Sequence, residues 1–486
     1  METALLIILP ILAGLAGFAF KEGNVKYFSF GASIVVFLLS LYILSGFSNA
    51  GGNQFAIDIP WIEAMGISFN IGVDGISLLL VLLTTFLTPL IILSAFPRNF
   101  KSNRLYYFLI LLMEAALIGV FVSRDAFLFY VFWELALIPI YFICLIWGGE
   151  GRTRITFKFF IYTLTGSLFM LLGIIFLYLK AGSFSITAIY GVASTLDLNT
   201  QILVFLAFMS AFAIKMPIFP FHTWQPDTYT TSPTQGTMLL SGIMLKMGIY
   251  GVIRWVLPVV PSAVATLGLP MIILTVIGII YASIIAIKQN NIKTLIAYVS
   301  IAHVGLIAAG LFTNNEEALQ GVMIQMLSHG INVVGLFFII DIVFARTNTL
   351  NLSELGGIRK LAPSLTIFFI IILLGSVALP LTSGFVGEFL LFTGLFIYSP
   401  VLAGIAGLTI IFGAVYMLSS FQKAMLGETN DLTNRFTDLL LSEKAVLIPI
   451  VILIIFIGIY PLPFLEISEP AVKGILQNAQ KAYSLR

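Results

Sequence analysis

The sequence is poor in charge. Of its 486 residues only 9% are Asp, Glu, Lys or Arg, while 59% are hydrophobic; an average soluble domain carries about a quarter charged residues. A soluble globular class is thereby excluded, and the chain reads as an integral membrane protein. Cysteine is almost absent too. Cys144 stands alone in an apolar run, so there can be no internal disulfide, no CxxC pair and no iron–sulfur ligand set. No GxGxxG turn or phosphate loop is present, and the three histidines have no metal-site spacing. No cofactor and no metal is therefore expected on this chain, and any redox chemistry it serves would reside on a partner. A net charge of +2 implies no nucleic acid. The N-terminus "METALLIILPILAGLAGFAFKEG" lacks the positive n-region of a signal peptide, and reads as a first span.

What the sequence has in abundance is long apolar runs, each near the roughly 20 residues a spanning helix needs. They give about fourteen candidate helices, near 3–20, 27–47, 75–96, 104–122, 125–147, 156–180, 200–224, 232–257, 268–287, 294–313, 317–345, 364–396, 400–422 and 444–464. The fold class is an all-α membrane bundle. Sheet is not expected, because a membrane barrel reads as short alternating segments instead. Lys and Arg set the orientation. Loops on one side hold 16 of the 24 cations, while the other side holds five, Arg124, Lys180, Lys473, Lys481 and Arg486. Both termini are expected outside, with the cation-rich loops cytoplasmic, as in a multi-pass protein of a bacterial inner (plasma) membrane.

Two spans are interrupted. Pro217 and Pro220 break span 7, and Pro380, followed by "LTSGFVGEF", breaks span 12. The breaks are five spans apart, so units of spans 4–8 and 9–13 would run in opposite directions, the inverted-repeat plan of many transporters. The expected division is 1–100 for spans 1–3, 101–260 for the first five-helix repeat, 261–425 for the second, and 426–486 for span 14 and a short tail.

The few charges are badly placed for a bland membrane protein. Glu134, Lys215, Lys246, His303, His329 and Glu388 all fall inside spans, where ionisable residues are expensive and mark ion routes or proton relays. Spread over six helices, they suggest a polar line at half-depth. Glu134 and Lys215 are the natural pair, each offsetting the other's burial. At an effective dielectric near 20, opposite charges attract by about 4 kcal/mol at 4 Å and about 2 at 8 Å, so a pair that opens and closes can take up and release a proton. The alternatives are a static ion pair, satisfied core histidines, and Glu388 as a helix cap. Glu114 and Asp341 are possible accessory or structural groups. His222 reads as an interface residue beside Trp224, and Asp74 in "GVDGIS" as a helix N-cap.

Taken together, "FYVFWELALIPIYF", "AFAIKMPIFPFHTWQPD", "PTQGTMLLSGIMLKMGIYG", "LIAYVSIAHVG", "QMLSHG" and "GFVGEF" resemble the antiporter-like membrane subunits of respiratory complex I, the proton-translocating NADH:quinone oxidoreductase. Within that family the likeness is to the subunit M branch, subunit 4 in mitochondria. The resemblance implies Glu134 and Lys215 as a coupled pair, Lys246 as central relay, His303 and His329 as linkers and Glu388 as the terminal exchange site. It also implies NADH, flavin, iron–sulfur clusters and quinone on partner subunits, and other membrane subunits, including sister antiporter-like ones, as neighbours in the lipid bilayer. The competing readings are a subunit of a multi-subunit sodium/proton antiporter and a purely structural membrane scaffold. In sister subunits and those antiporters the span 12 position is usually lysine, so Glu388 favours subunit M.

Overall fold

The computed structural model describes residues 1–98, 100–192 and 195–484, without the side chains of 479–484. Of the cations used to orient the chain, the Lys481 side chain and Arg486 therefore lie outside the described residues. Spans 1 to 4 are α1 (Glu2–Ala16), α2 (Val25–Ser45), α3 (Gly75–Ser94) and α4 (Asn103–Val122). Span 5 is split into α5 (Ala126–Leu135) and α6 (Leu137–Trp147); span 6 is α7 (Arg152–Ala181), followed by short α8 (Ile186–Val192). Span 7 consists of α9 (Leu198–Lys215) and, beyond a break, α10 (Gln225–Thr231). In span 8, α11 (Thr234–Leu239) and α12 (Lys246–Gly251) each run into one π-helical turn, at Leu240–Met244 and Val252–Val256. Spans 9 to 11 are α13 (Pro261–Lys288), α14 (Ile292–Leu311) and α15 (Glu316–Thr347). Span 12 is α16 (Pro363–Ser376) plus α17 (Ser383–Tyr398), then come α18 (Pro400–Met425) and α19 (Leu441–Ile459), and α20 (Leu462–Ser484) ends the chain.

Thirteen of the described helical segments are long and apolar enough to cross a membrane, and the two shorter apolar helices α16 and α17 complete the broken span 12. The bundle is layered by composition. In their most apolar stretches, spans 8, 10 and 11 are 100%, 89% and 94% buried, whereas spans 1, 2 and 14 are 33%, 28% and 33% buried. Lys246, His303 and His329 thus sit on the central helices rather than on those facing lipid.

Two expectations need correction. Sheet is present: β1 (Gln54–Ile62) and β2 (Ile67–Val73) form an antiparallel hairpin between spans 2 and 3. The hairpin lies in a connecting segment rather than in a spanning barrel: "QFAIDIPWI" alternates, and Gly66 takes the left-handed conformation the turn needs (φ 65°). Nor is the C-terminus a plain tail. Span 14 stops at Ile459, before Pro461, and α20 is amphipathic, burying Val472, Ile475 and Leu476 while Glu466 and Lys473 stay exposed. It lies against α3 and α15, with Ser468 Oγ donating to Gln320 Oε1 at 2.7 Å and Lys473 paired with Glu316 at 3.4 Å. The hairpin and α20 therefore share one end of the bundle, the hairpin end.

Candidate functional site

The helix discontinuities let polar backbone exist inside an apolar bundle. In span 7 the helix stops at Lys215. Pro217 lacks an N–H, so the Ala213 carbonyl accepts from Ile218 N instead (3.1 Å), and the Ile214 carbonyl is taken by the indole of Trp224 (3.0 Å). In span 12 the segment 377–382 separates the half-helices around Pro380, with Ala378 and Leu381 at φ of 56° and 71°. Positive φ at non-glycine residues costs about 1–3 kcal/mol each and persists only where packing imposes it. A third break was not anticipated. Pro139 leaves the Leu135 carbonyl without its helical donor, and span 5 is interrupted at Ala136, two residues after Glu134.

Span 8 supplies the centre. The π turn at Leu240–Met244 shifts the ladder to an i→i−5 bond, Leu245 N to Leu240 O, and the Ser241 carbonyl is taken by Lys246 Nζ at 2.6 Å. Lys246 also reaches His329 Nδ1 at 2.9 Å, and the other ring nitrogen of His329 meets Ser300 Oγ at 3.0 Å. Two glycines make this possible. A Cβ on Gly242 would come within 2.6 Å of Val334, and one on Gly330 within 2.8 Å of the Gly242 carbonyl, so spans 8 and 11 approach each other beside His329 as no larger residue would allow.

The electrostatics follow from these contacts. When Lys246 is protonated it has donors only, so Nδ1 of His329 accepts and the ring proton is on Nε2, aimed at Ser300. A proton passed from Lys246 to Nδ1 leaves the ring able to give up the one on Nε2. Ser300 and His303 lie one turn apart on α14, and the rings of His303 and His329 are 6.0 Å apart. Next to them is a cavity of about 10 Å³ whose lining includes His303, His329, Gln325, Ser328 and Asn332, about the room one water needs. Asn332 Nδ2 donates to the Ser328 carbonyl at 2.9 Å, and Ser328 Oγ meets Ser383 Oγ at 2.9 Å on the half-helix that carries Glu388. Gln325 Oε1 has no hydrogen-bond partner among the described residues and packs against Gly387.

The other expected residues are placed differently. Glu134 and Lys215 form no ion pair within 4 Å among the described residues: the Lys215 ammonium sits 5.3 Å from the centroid of the Trp133 ring, and Glu134 Oε1 is buried without a hydrogen bond. Glu388 is buried in α17 well past Thr382, the residue at the N-cap, so it does not cap that end. Glu114 is fully buried. Asp341 is tied to Arg98 and Thr234 at the end opposite the hairpin, beside a cavity of about 320 Å³ that Lys293 also lines. His222 is buried against Phe219 and Tyr281. Asp74 caps α3 as expected, accepting from Ile76 N and Ser77 N. Sequence reasoning passed over Ser300, Gln325 and Pro139, although Ser300 and Gln325 lie within one helical turn of His303 and His329, which was signal enough.

With this geometry in place, comparison with known proteins decides the family. A sequence model of the NADH:quinone oxidoreductase/Mrp antiporter transmembrane family matches residues 123–413. NADH-quinone oxidoreductase subunit M of Rickettsia conorii is 41% identical over 458 residues, covering 94% of this chain and 93% of the relative. The chain belongs to the NADH-quinone oxidoreductase subunit M family. A chain of respiratory complex I from Thermus thermophilus superposes with a TM-score of 0.90 at 30% identity, covering 100% of this chain and 99% of that one. A chain of the Mrp complex from Dietzia superposes at 0.87 with 18% identity, covering 99% and 52%, a likeness of fold alone.

Proposed function

We propose that this member of the subunit M family is a proton-translocating membrane subunit of NADH-quinone oxidoreductase, driven by quinone reduction elsewhere in the complex. It works among the other membrane subunits, its sister antiporter-like subunits included, in a bacterial plasma membrane. The observation that carries the reading is the Lys246–His329–Ser300 contact on the most buried helices. Three ionisable or hydroxyl groups in hydrogen-bond contact at half-depth are costly in a scaffold and useful in a relay. NADH, flavin, iron–sulfur clusters and quinone belong to partner subunits in this reading. The hairpin end faces outward, because the loops at the opposite end carry most of the cations. Spans 4–8 and 9–13 act as inverted repeats with their breaks at half-depth. Lys246 and the histidines join the Glu134 and Lys215 groups of the first repeat to Glu388 of the second, from which the proton leaves outward.

In this mechanism Glu134 and Lys215 stand apart in one state and close in another, Pro139 and the break after Lys215 being the joints. The test is NADH-driven proton pumping by vesicles holding the assembled complex with Lys215→Ala, normalised to NADH oxidation by an artificial acceptor. Pumping and quinone reduction fall while artificial-acceptor activity stays. Undiminished pumping in both Lys215→Ala and Glu134→Ala overturns the mechanism.

A further inference from the structure

At the hairpin end, three charged side chains from distant parts of the sequence are buried together. Asp74 follows β2 and caps α3; Arg124 lies between spans 4 and 5; Arg254 lies in the second π turn of span 8. Arg124 Nη2 is 2.9 Å from Asp74 Oδ2, and Arg254 Nη2 bonds Asp74 Oδ1. They are 6%, 8% and 3% exposed. One carboxylate against two guanidiniums leaves one net positive charge sealed from solvent. The neighbouring Asp125 forms no ion pair with either arginine among the described residues, its oxygens accepting instead from the N–H groups of Phe127, Leu128 and Ser68. The Tyr190 hydroxyl on the Arg254 carbonyl (2.9 Å) and the Tyr250 ring 5.3 Å from its guanidinium hold the cluster without neutralising it. Among the described residues, Nε of both arginines and Nη2 of Arg124, despite its charge contact with Asp74, have no hydrogen-bond partner.

Neutralising Asp74 needs one arginine, and a second, uncompensated one is a cost. Its position suggests its use. Arg254 is eight residues beyond Lys246 on the same span, about 12 Å toward the hairpin end at 1.5 Å per residue. A guanidinium keeps its proton at any pH the membrane meets, so it cannot relay one, and a fixed positive charge in a pore turns protons and cations away. We propose that Arg124 and Arg254 form a positive barrier closing the hairpin end of the first repeat, so that a proton at Lys215 or Lys246 passes sideways to His329 and leaves only through the second repeat. The barrier rests on the proton route given above.

The test uses assembled complex in vesicles. Arg124→Gln removes the excess charge and leaves the Asp74–Arg254 pair in place; Arg124→Met is a second neutral variant, and Arg124→Lys keeps the charge. Two quantities are read: the collapse rate of an imposed pH gradient without NADH, and protons pumped per NADH oxidised. In both neutral variants the gradient is expected to collapse several-fold faster and the pumping ratio to fall, with quinone reduction retained; Arg124→Lys matches the unsubstituted complex. Unchanged leak and ratio in the neutral variants overturn the barrier. So does failure of both neutral variants to assemble, because the cation then acts on folding rather than on conduction. Lys246→Ala separates the two ideas: if it pumps normally the route itself fails, and if it does not pump while Arg124→Gln stays tight, only the barrier fails.

Discussion

Lys246 Nζ and His329 Nδ1 are 2.9 Å apart on the two most buried helices of the bundle, with Ser300 3.0 Å from the other side of the ring. The histidine is therefore a bridge with one face toward the lysine and one toward a hydroxyl. Its two nitrogens have different jobs.

His329→Leu removes both contacts at once and leaves Lys246 with a single carbonyl partner. A positioned acid–base group is worth about 10²–10⁴ in proton transfer, so pumping by the assembled complex should fall about a hundredfold or to the detection limit. Ser300→Ala, whose place a water can take, should cost only a few-fold. The check is NADH-driven quenching of a pH-sensitive dye, normalised to assembled complex; full pumping in His329→Leu would remove the histidine from the route.

Pro139 holds span 5 open beside Glu134. Pro139→Ala restores a donor for the Leu135 carbonyl and removes a residue about 3 kcal/mol less favourable than alanine in a helix interior. The variant should assemble normally or better while quinone reduction and pumping slow together, because Glu134 moves less freely. Turnover equal to that of the unsubstituted complex would mean the break has no part in coupling.

How far the site could be read from the sequence follows from these two cases. Spans announce themselves because about 20 apolar residues in a row have few other uses, and Pro217, Pro220 and Pro380 announce breaks. Which charges meet is another matter. Opposite sign suggested Glu134 with Lys215, yet the contact that forms joins Lys246 to His329, brought together by close approach at Gly242 and Gly330. The π turns are register shifts of backbone hydrogen bonds, driven by packing and carried by no residue type. Asp74 read correctly as a cap, but Arg254 is 180 residues away from it, and nothing local links them. The hairpin was hidden in a connecting segment, which the argument from spanning sheets does not reach.

Asp438 governs a pH dependence at the end opposite the hairpin. It is partly buried, which raises its carboxyl, but hydrogen bonds from Ser364, Leu365 and Leu439 outweigh burial and hold it below the ordinary value. A depressed carboxylate contributes stability that is present above its unfolded value, about 3.9, and is lost as pH falls through the lower folded value. Hydrogen exchange at Ser364 and Leu365 should thus stay protected at neutral pH and lose protection only in strong acid. Asp438→Ala should remove that protection at every pH, at about 1 kcal/mol for a lost cap. Equal protection in the variant would show that α16 starts without it.

Gly387 lies beside Glu388 where α17 crosses α15. A Cβ there would be 2.3 Å from Gln325 Oε1 and 2.9 Å from Gln325 Cβ, and also 3.0 Å from the backbone Cα of the same residue. The side-chain amide can swing aside, but the backbone cannot, so the half-helix must shift by several tenths of an ångström. Gly387→Ala is expected to cost about 1–3 kcal/mol as an overpacked core substitution and to lower pumping more than assembly, since the shift moves the half-helix that carries Glu388 away from Gln325. Pairing it with Gln325→Ala, which vacates the space, should restore packing but not pumping if the amide helps carry the proton, and should restore both if Gly387 matters only for fit. Assembly from membrane extracts and pumping per assembled complex, measured in all three variants, decide between those outcomes.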